Sequence, residues 1–306
     1  MPKTSEATTP SSGAFLSLPL LEKISQNLHE QEHRPGLYVV ATPIGNILDI
    51  TLRAIYLLKE AQHIFAEDTR VSKKLLNFYN ITTPLVACHE YNEISPSIIS
   101  SITKEGVYAL ISDAGTPLIS DPGYRLVNWC LDNGIDVFPV PGACSAIAGL
   151  SVAGLGTDLF LFYGFLPPKS GARKAALKNT KSSTATSIFF ESPLRLISAL
   201  TDMLEIFGDR FCCVAKEITK IFEKFQRGRL SELIEHFSEH KLKGEFIIIV
   251  SGNKKNEIDE GEIRAYLIEL LKNNSLKKSV EKASAHCNIS RNSAYEQALK
   301  IRKQTP

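Results

Sequence analysis

No C-x-x-C pair occurs among the six cysteines of this 306-residue chain. Their spacing fits neither a zinc site nor a disulfide framework, and reduced thiols in a cytosolic protein are the simpler reading. No uncharged apolar run reaches the ~18 residues that a membrane helix needs. Residues 1–19, with many Ser, Thr and Pro, do not have the form of a signal peptide. Net charge is nearly absent as well: 35 Lys and Arg stand against 33 Asp and Glu, so no overall field identifies a partner. Neither G-x-G-x-x-G nor G-x-x-x-x-G-K-[ST] occurs, which leaves a nicotinamide enzyme poorly supported and a P-loop without its sequence. The seven histidines are scattered, and no metal-ligand constellation stands out.

What is present is ordinary soluble-protein composition, 43% hydrophobic and 22% charged. That composition excludes a wholly disordered, collagenous or membrane-spanning chain, and the length suggests about two domains. Residues 1–34 read as an extension, flexible at first. A short amphipathic helix over 16–28 competes there with a loosely packed tail. From residue 35 short apolar runs alternate with helical spacing. Strands are expected at 37–41, 64–66, 85–88, 107–111 and 135–140, with a helix over 125–133 ended by Gly134. Strands that are apolar throughout and alternate with helices imply a parallel sheet covered on both faces. This α/β domain is expected over 35–147. A second α/β domain with a mixed sheet follows over 148–252, its strands at 159–163, 186–190, 211–216 and 245–250. Residues 253–306 form a small basic helical segment. Its residues 261–306 hold nine Lys and Arg against four Glu. Helices at 276–286 and 290–302, the second capped by Ser290, give a helix-turn-helix-like outline or a hairpin that only packs.

Parallel sheets of this kind bind ligands beyond the carboxyl ends of their strands. Four polar loops fall at that edge, among them Thr42-Pro43-Ile44-Gly45-Asn46 and Asp113-Ala114-Gly115-Thr116-Pro117. Together they point to a cofactor crevice. Glu67, Asp68 and Asp113 end strands and suit general-base work or contact with a cofactor, or equally helix capping and an ion pair of Asp68 with Arg70. Glu191 also follows an apolar strand and could pair with Arg195. Lys169, Arg173, Lys174 and Lys178, with Lys181, form a loop without acids, a plausible contact for a nucleic-acid backbone.

Several strings are recognisable. The stretch 38–46 reading YVVATPIGN, Ala66-Glu67-Asp68-Thr69-Arg70 and the string SDAGTPLISDPGY over 112–124 resemble the bacterial ribosomal RNA small subunit methyltransferase I family. So do Gly164-Phe165-Leu166-Pro167, Phe190-Glu191-Ser192-Pro193 and Lys216-Glu217-Ile218-Thr219-Lys220. The resemblance covers about residues 36–251. It implies a tetrapyrrole-methylase-like fold (class III methyltransferase), two α/β domains with S-adenosylmethionine between them, and a cytoplasmic homodimer. It also implies methylation of the ribose 2′-hydroxyl of a cytidine in 16S rRNA, at the decoding centre of the small ribosomal subunit. On that footing Pro43, Gly45, Asp113, Gly115, Thr116, Ser145 and Ala146 are expected at the cofactor, with Phe165 and Leu166 closing its adenine side. Asp68, Glu67, Glu191 and Lys169 are the candidates for the catalytic base. Arg70, Lys169, Arg173, Lys174 and Lys178 are expected on RNA. Ala143 stands where the family has proline and Leu194 where it has histidine, and neither is given a role.

Two other readings compete. A methylase of a small tetrapyrrole shares the fold, but has no use for a basic loop and basic terminal helices. A ribosome-assembly protein that binds RNA without catalysis does not need the crowded polar loops at the sheet edge.

Overall fold

The computed structural model describes residues 18–29, 33–253, 260–287 and 289–304. The chain divides into two compact units. One runs to Ala148 and also takes in Ile218–Ile221; the other holds Gly149–Glu217 and the chain from Phe222 onward. The short segment Ile218–Ile221 has no counterpart in the reading from sequence. Among the described residues no helix is long and apolar enough to cross a membrane.

Helix α1 (Leu18–His29) precedes the first sheet. Five strands build that sheet: β1 (Gly36–Val40), β2 (His63–Ala66), β3 (Leu85–Ala87), β4 (Val107–Ile111) and β5 (Val137–Val140). All pair in parallel, in the order β3-β2-β4-β1-β5. Side chains alternate along a strand, and here both faces are covered. Tyr38, Val40, Ile64, Ala66, Ala109 and Ile111 enter one core, which Leu57 and Leu58 of α2 (Leu52–Glu60) and Leu76 of α3 (Thr69–Phe78) complete. Leu37, Phe65, Tyr108 and Leu110 enter the other, under Ile98 of α4 (Pro96–Ser100) and Leu126 and Cys130 of α5 (Tyr124–Asp132). That is why these strands read as apolar at every position. Pro139, which cannot donate to a ladder, sits on β5 at the sheet edge. Caps start the helices: Thr51 Oγ1 accepts from Ala54 N at 3.1 Å, and Asp68 Oδ1 accepts from Arg70 N at 2.8 Å. Helix α6 (Ser145–Val152) follows β5.

The second unit contains a mixed sheet of β6 (Phe160–Phe165), β7 (Thr186–Glu191), β8 (Phe211–Lys216), β9 (Lys224–Arg229) and β10 (Phe246–Val250). Its order is β6-β7-β10-β8-β9, and only β6 and β7 are parallel. Helices α7 (Ser170–Lys178), α8 (Leu196–Phe207) and α9 (Leu230–Ser238) cover a core that includes Phe189, Leu200, Met203, Leu233 and Ile248. The stretch expected to be a basic loop is therefore the helix α7, a correction. Alanines and Leu177 give it helix propensity, and Leu177 anchors it in the core. Strand β9 has no counterpart in the expected strands.

Helices α10 (Glu260–Asn273), α11 (Leu276–Cys287) and α12 (Arg291–Gln304) pack on one another around their own core of Leu267, Ala283, Ala294 and Ala298. Ser290 Oγ accepts from Ser293 N at 3.1 Å, the expected cap. Asn288, in the expected turn, lies outside the described residues, as do residues 1–17.

Candidate active site

The loops after β1, β4 and β5 meet at the carboxyl edge of the parallel sheet. Thr42 and Gly115 form a two-way backbone bridge, Thr42 N donating to Gly115 O at 2.9 Å and Gly115 N to Thr42 O at 3.0 Å. The Thr42 hydroxyl donates to Ser112 O at 3.3 Å. Thr116 Oγ1 donates to Ala143 O at 3.2 Å, tying the β4 loop to the β5 loop. Gly115 has φ +81°, where a side chain would strain the backbone, and a Cβ there would stand 3.3 Å from Ile44 Cγ2. Pro43, Asp113, Gly115 and Thr116 are thus brought to one place. Ser145 and Ala146 open α6, which directly follows the β5 loop.

Gly45, expected at the cofactor, packs against a distant segment of the chain. A Cβ on it would meet Lys220 Cγ at 2.5 Å, Thr219 Oγ1 at 2.7 Å and Ile218 O at 3.0 Å. Asn46 N donates to Thr219 Oγ1 at 3.0 Å. The missing side chain makes room for the segment Ile218–Ile221.

The edge is rich in carboxylates. Asp113 Oδ1 accepts from the backbone N–H of Asp68 at 3.1 Å. The Glu67 carboxyl is pushed above its usual range, first by burial and then by the charges of Asp113 and Asp121. Burial also raises Asp113 and Asp121, and the charge of Asp113 adds to the rise at Asp121. Asp68 is the exception. Arg70 Nη2 lies 2.6 Å from its Oδ2, and the hydrogen bonds of Arg70 hold its carboxyl down at about 2. Asp68 therefore does both things its structural reading allowed, capping α3 and pairing with Arg70. Asp121 was missed from sequence although it lies in the same 112–124 string. Leu118 and Ser120, both at φ +71°, bend that string in the left-handed region, and Asp121 hydrogen-bonds to the Ser112 side chain.

The candidates of the second unit divide. Glu191 is buried; its Oε1 accepts from Arg195 Nε and from Ser192 N, each at 2.8 Å, and its Oε2 has no hydrogen-bond partner. Lys169 is exposed just before α7, and Lys178 is exposed in its last turn. Phe165 is 58% exposed, whereas the Leu166 side chain packs in the core of the second unit. Arg173 requires correction. Its guanidinium is buried, with Nε 2.7 Å from Asp202 Oδ2 and Nη1 donating to Pro168 O at 3.2 Å, so it is not available to a phosphate. Lys174 is paired with Glu205 and Asp202.

A family model of the tetrapyrrole (corrin/porphyrin) methylases matches residues 36–234. Among solved structures, a cobalt precorrin-4 methyltransferase is similar with a TM-score of 0.52 and 17% identity, covering 70% of this chain and 94% of that one. Diphthine synthase reaches a TM-score of 0.54 at 15% identity, covering 71% of this chain and 89% of that one. The fold is thereby that of the tetrapyrrole methylases. Sequence relatives are more specific. Ribosomal RNA small subunit methyltransferase I of Halalkalibacterium halodurans is 48% identical over 233 residues, 76% of this chain and 81% of that protein. The protein of the same name from Pseudomonas aeruginosa is 43% identical over 271 residues, 86% of this chain and 96% of its own length. The one from Vibrio cholerae is 41% identical over 273 residues, 87% and 94% of the two chains. At that level the chain belongs to the ribosomal RNA small subunit methyltransferase I family.

Proposed function

We propose that this chain methylates the ribose 2′-hydroxyl of a cytidine in 16S rRNA, at the decoding centre of the small ribosomal subunit, with S-adenosylmethionine as donor. The observation that carries the reading is identity of 41% to 48% with relatives named ribosomal RNA small subunit methyltransferase I, over at least 81% of their length.

The carboxyl edge fits the cofactor. Glu67, Asp113 and Asp121 are disfavoured as anions where they stand, so a cation among them relieves that cost. S-adenosylmethionine supplies, when bound, a methyl group already activated on a cationic sulfonium. Asp113, Pro43, the backbone of Gly115 and Thr116, and Ser145 with Ala146 would hold it. Much of the barrier reduction in such a transfer comes from positioning, which the tied loops supply.

The acceptor hydroxyl is a poor nucleophile at neutral pH, and a base that takes its proton assists attack. Glu67 suits that role best, because its carboxylate has raised proton affinity. Asp68, held at about 2, has little. It holds Arg70 instead, and Arg70 is exposed over most of its surface to meet RNA. Glu191 is engaged with Arg195 and Ser192. Lys169 and Lys178, both exposed, offer contacts to phosphate.

The reading includes a cytoplasmic homodimer. Support for a second copy comes from the edge strand β6, where Phe160, Leu161, Tyr163 and Phe165 leave 37% to 58% of their surface exposed. Light scattering in solution tests it, and a monomer at micromolar concentration sinks it.

The main test is transfer of tritium from labelled S-adenosylmethionine to small ribosomal subunits, followed by mass mapping of the ribonucleotides. One methyl on one cytidine ribose is expected. Label on an added tetrapyrrole and none on RNA overturns the reading, and subunit binding without transfer reduces the protein to an assembly factor.

A further inference from the structure

Beside the carboxylate-rich edge, the first unit carries a groove of about 670 Å³ between α3 and the turn that leads into β3. Arg70 and Lys73 stand on its helical wall, the buried Leu76 and Ile81 lie beneath it, and Pro84 and Leu85 give it accessible apolar surface. Among the described residues no Asp or Glu lines it. Helix α3 carries Arg70, Lys73 and Lys74 and no acid. Among the described residues neither Lys73 nor Lys74 forms an ion pair. The groove begins at the candidate site, since Arg70 holds Asp68 and Asp68 is tied to Asp113. From there it follows α3 for about 1.5 Å per residue towards Leu85, the first residue of the edge strand β3.

Exposed cations, of which Arg70 alone has an acidic partner, beside the accessible surface of Pro84 and Leu85 match a single-stranded nucleic acid, whose phosphates seek the charges and whose base faces seek the apolar wall. We propose that this groove holds a short single-stranded stretch of the substrate RNA beside the nucleotide that is methylated, its phosphates on Arg70 and Lys73 and its bases against Pro84 and Leu85. The inference rests on the methyltransferase reading and extends it to the path of the RNA.

Lys73 is exposed, so Lys73→Glu cancels the net charge of the groove without disturbing a core. Lys104→Glu, at an exposed lysine outside the groove, makes the same change in net charge and serves as the control. The full chain is titrated with a fluorescein-labelled, cytidine-rich single-stranded oligoribonucleotide, by anisotropy over a series of salt concentrations. Lys73→Glu is expected to weaken binding about threefold to tenfold. It should also flatten the slope of log K against log salt by about 0.7 for each phosphate that the protein no longer neutralises. S-adenosylmethionine affinity stays unchanged. Lys73→Glu indistinguishable from Lys104→Glu in affinity and slope overturns the proposal. So does a labelled acidic peptide whose binding is abolished in Lys73→Glu while RNA binding is kept, because the groove then serves a protein. The two layers fail separately. Methyl transfer by the wild type with a silent Lys73→Glu overturns the groove alone; RNA binding abolished in Lys73→Glu, with no methyl transfer by the wild type, upholds the groove and overturns the reading.

Discussion

Asp113 Oδ1 accepts a hydrogen bond from the backbone N–H of Asp68 at 3.1 Å, and this bond helps tie the loop after β4 to the loop after β2. It gives Asp113 two separable functions, an acceptor that fixes the start of α3 and a negative charge facing a cationic ligand. Asp113→Asn keeps an acceptor and loses the charge; Asp113→Ala loses both. By calorimetry both variants should weaken S-adenosylmethionine binding, by roughly tenfold to a hundredfold for one charged contact. Only Asp113→Ala should also lower the Tm. Wild-type affinity in Asp113→Asn would remove the charge from the account.

Glu67 gives the second prediction. Glu67→Gln should reduce turnover by about 10²- to 10⁴-fold, the usual loss for a general base, with cofactor affinity nearly kept. In the wild type, turnover should fall on acidification through a value above the ordinary glutamate figure of about 4.3, because the folded protein raises this carboxyl. Stability moves the other way. A carboxyl raised in the fold binds more protons folded than unfolded, so its cost appears as pH rises through the raised value and is absent below the unfolded one. Glu67→Gln should therefore melt higher than wild type at pH 7.5 and equally near pH 4. Full activity with an unchanged pH profile would exclude Glu67 as the base.

The same residues show what a sequence makes legible. Strands β1, β2 and β4 could be read because both of their faces are buried, Leu37 to one side and Tyr38 to the other, which leaves an unbroken apolar run. Strand β9, reading KFQRGR at a sheet edge, has no such run and could not be. The loops holding Asp113 and Gly115 stand out because Gly, Pro and Asp cluster at strand ends. Asp121 does not, because only the left-handed turns at Leu118 and Ser120 bend the string that carries it. Arg173 is misleading for a reason of distance along the chain: its acid, Asp202, lies 29 residues away, so the local sequence looks like an unpaired basic loop.

Gly45 supplies a third prediction, one that separates packing from cofactor contact. A methyl group there would meet Lys220, Thr219 and the carbonyl of Ile218, an overpacking that costs about 1–3 kcal/mol. Gly45→Ala should lower the Tm accordingly. Thr219 sits at φ +64°, a conformation that glycine adopts freely. Adding Thr219→Gly to Gly45→Ala should therefore recover part of the stability, by removing the hydroxyl that the new methyl strikes. A Gly45→Ala protein that melts like wild type but loses S-adenosylmethionine would return Gly45 to the cofactor.

Arg173 and Lys178, five residues apart in α7, look alike in sequence as RNA contacts, and the structure separates them. Arg173 is paired with a buried Asp202 that also accepts from the Ser170 hydroxyl at 3.0 Å. Removing the arginine leaves that carboxylate buried with only the Ser170 hydroxyl and Lys174, 3.6 Å away, a loss of about 3–5 kcal/mol for a broken internal pair. Arg173→Ala should lower the Tm by roughly 6 °C or more and alter RNA affinity only where folding fails. Lys178 is exposed and touches no core. Lys178→Ala should leave stability within about 0.5 kcal/mol and weaken subunit binding a few-fold, more at low salt than at high. Differential scanning fluorimetry and filter binding on the same preparations decide the matter. An Arg173→Ala protein of normal Tm and impaired RNA binding would place the guanidinium on the substrate after all, and the ion pair with Asp202 would then be a resting contact rather than a structural one.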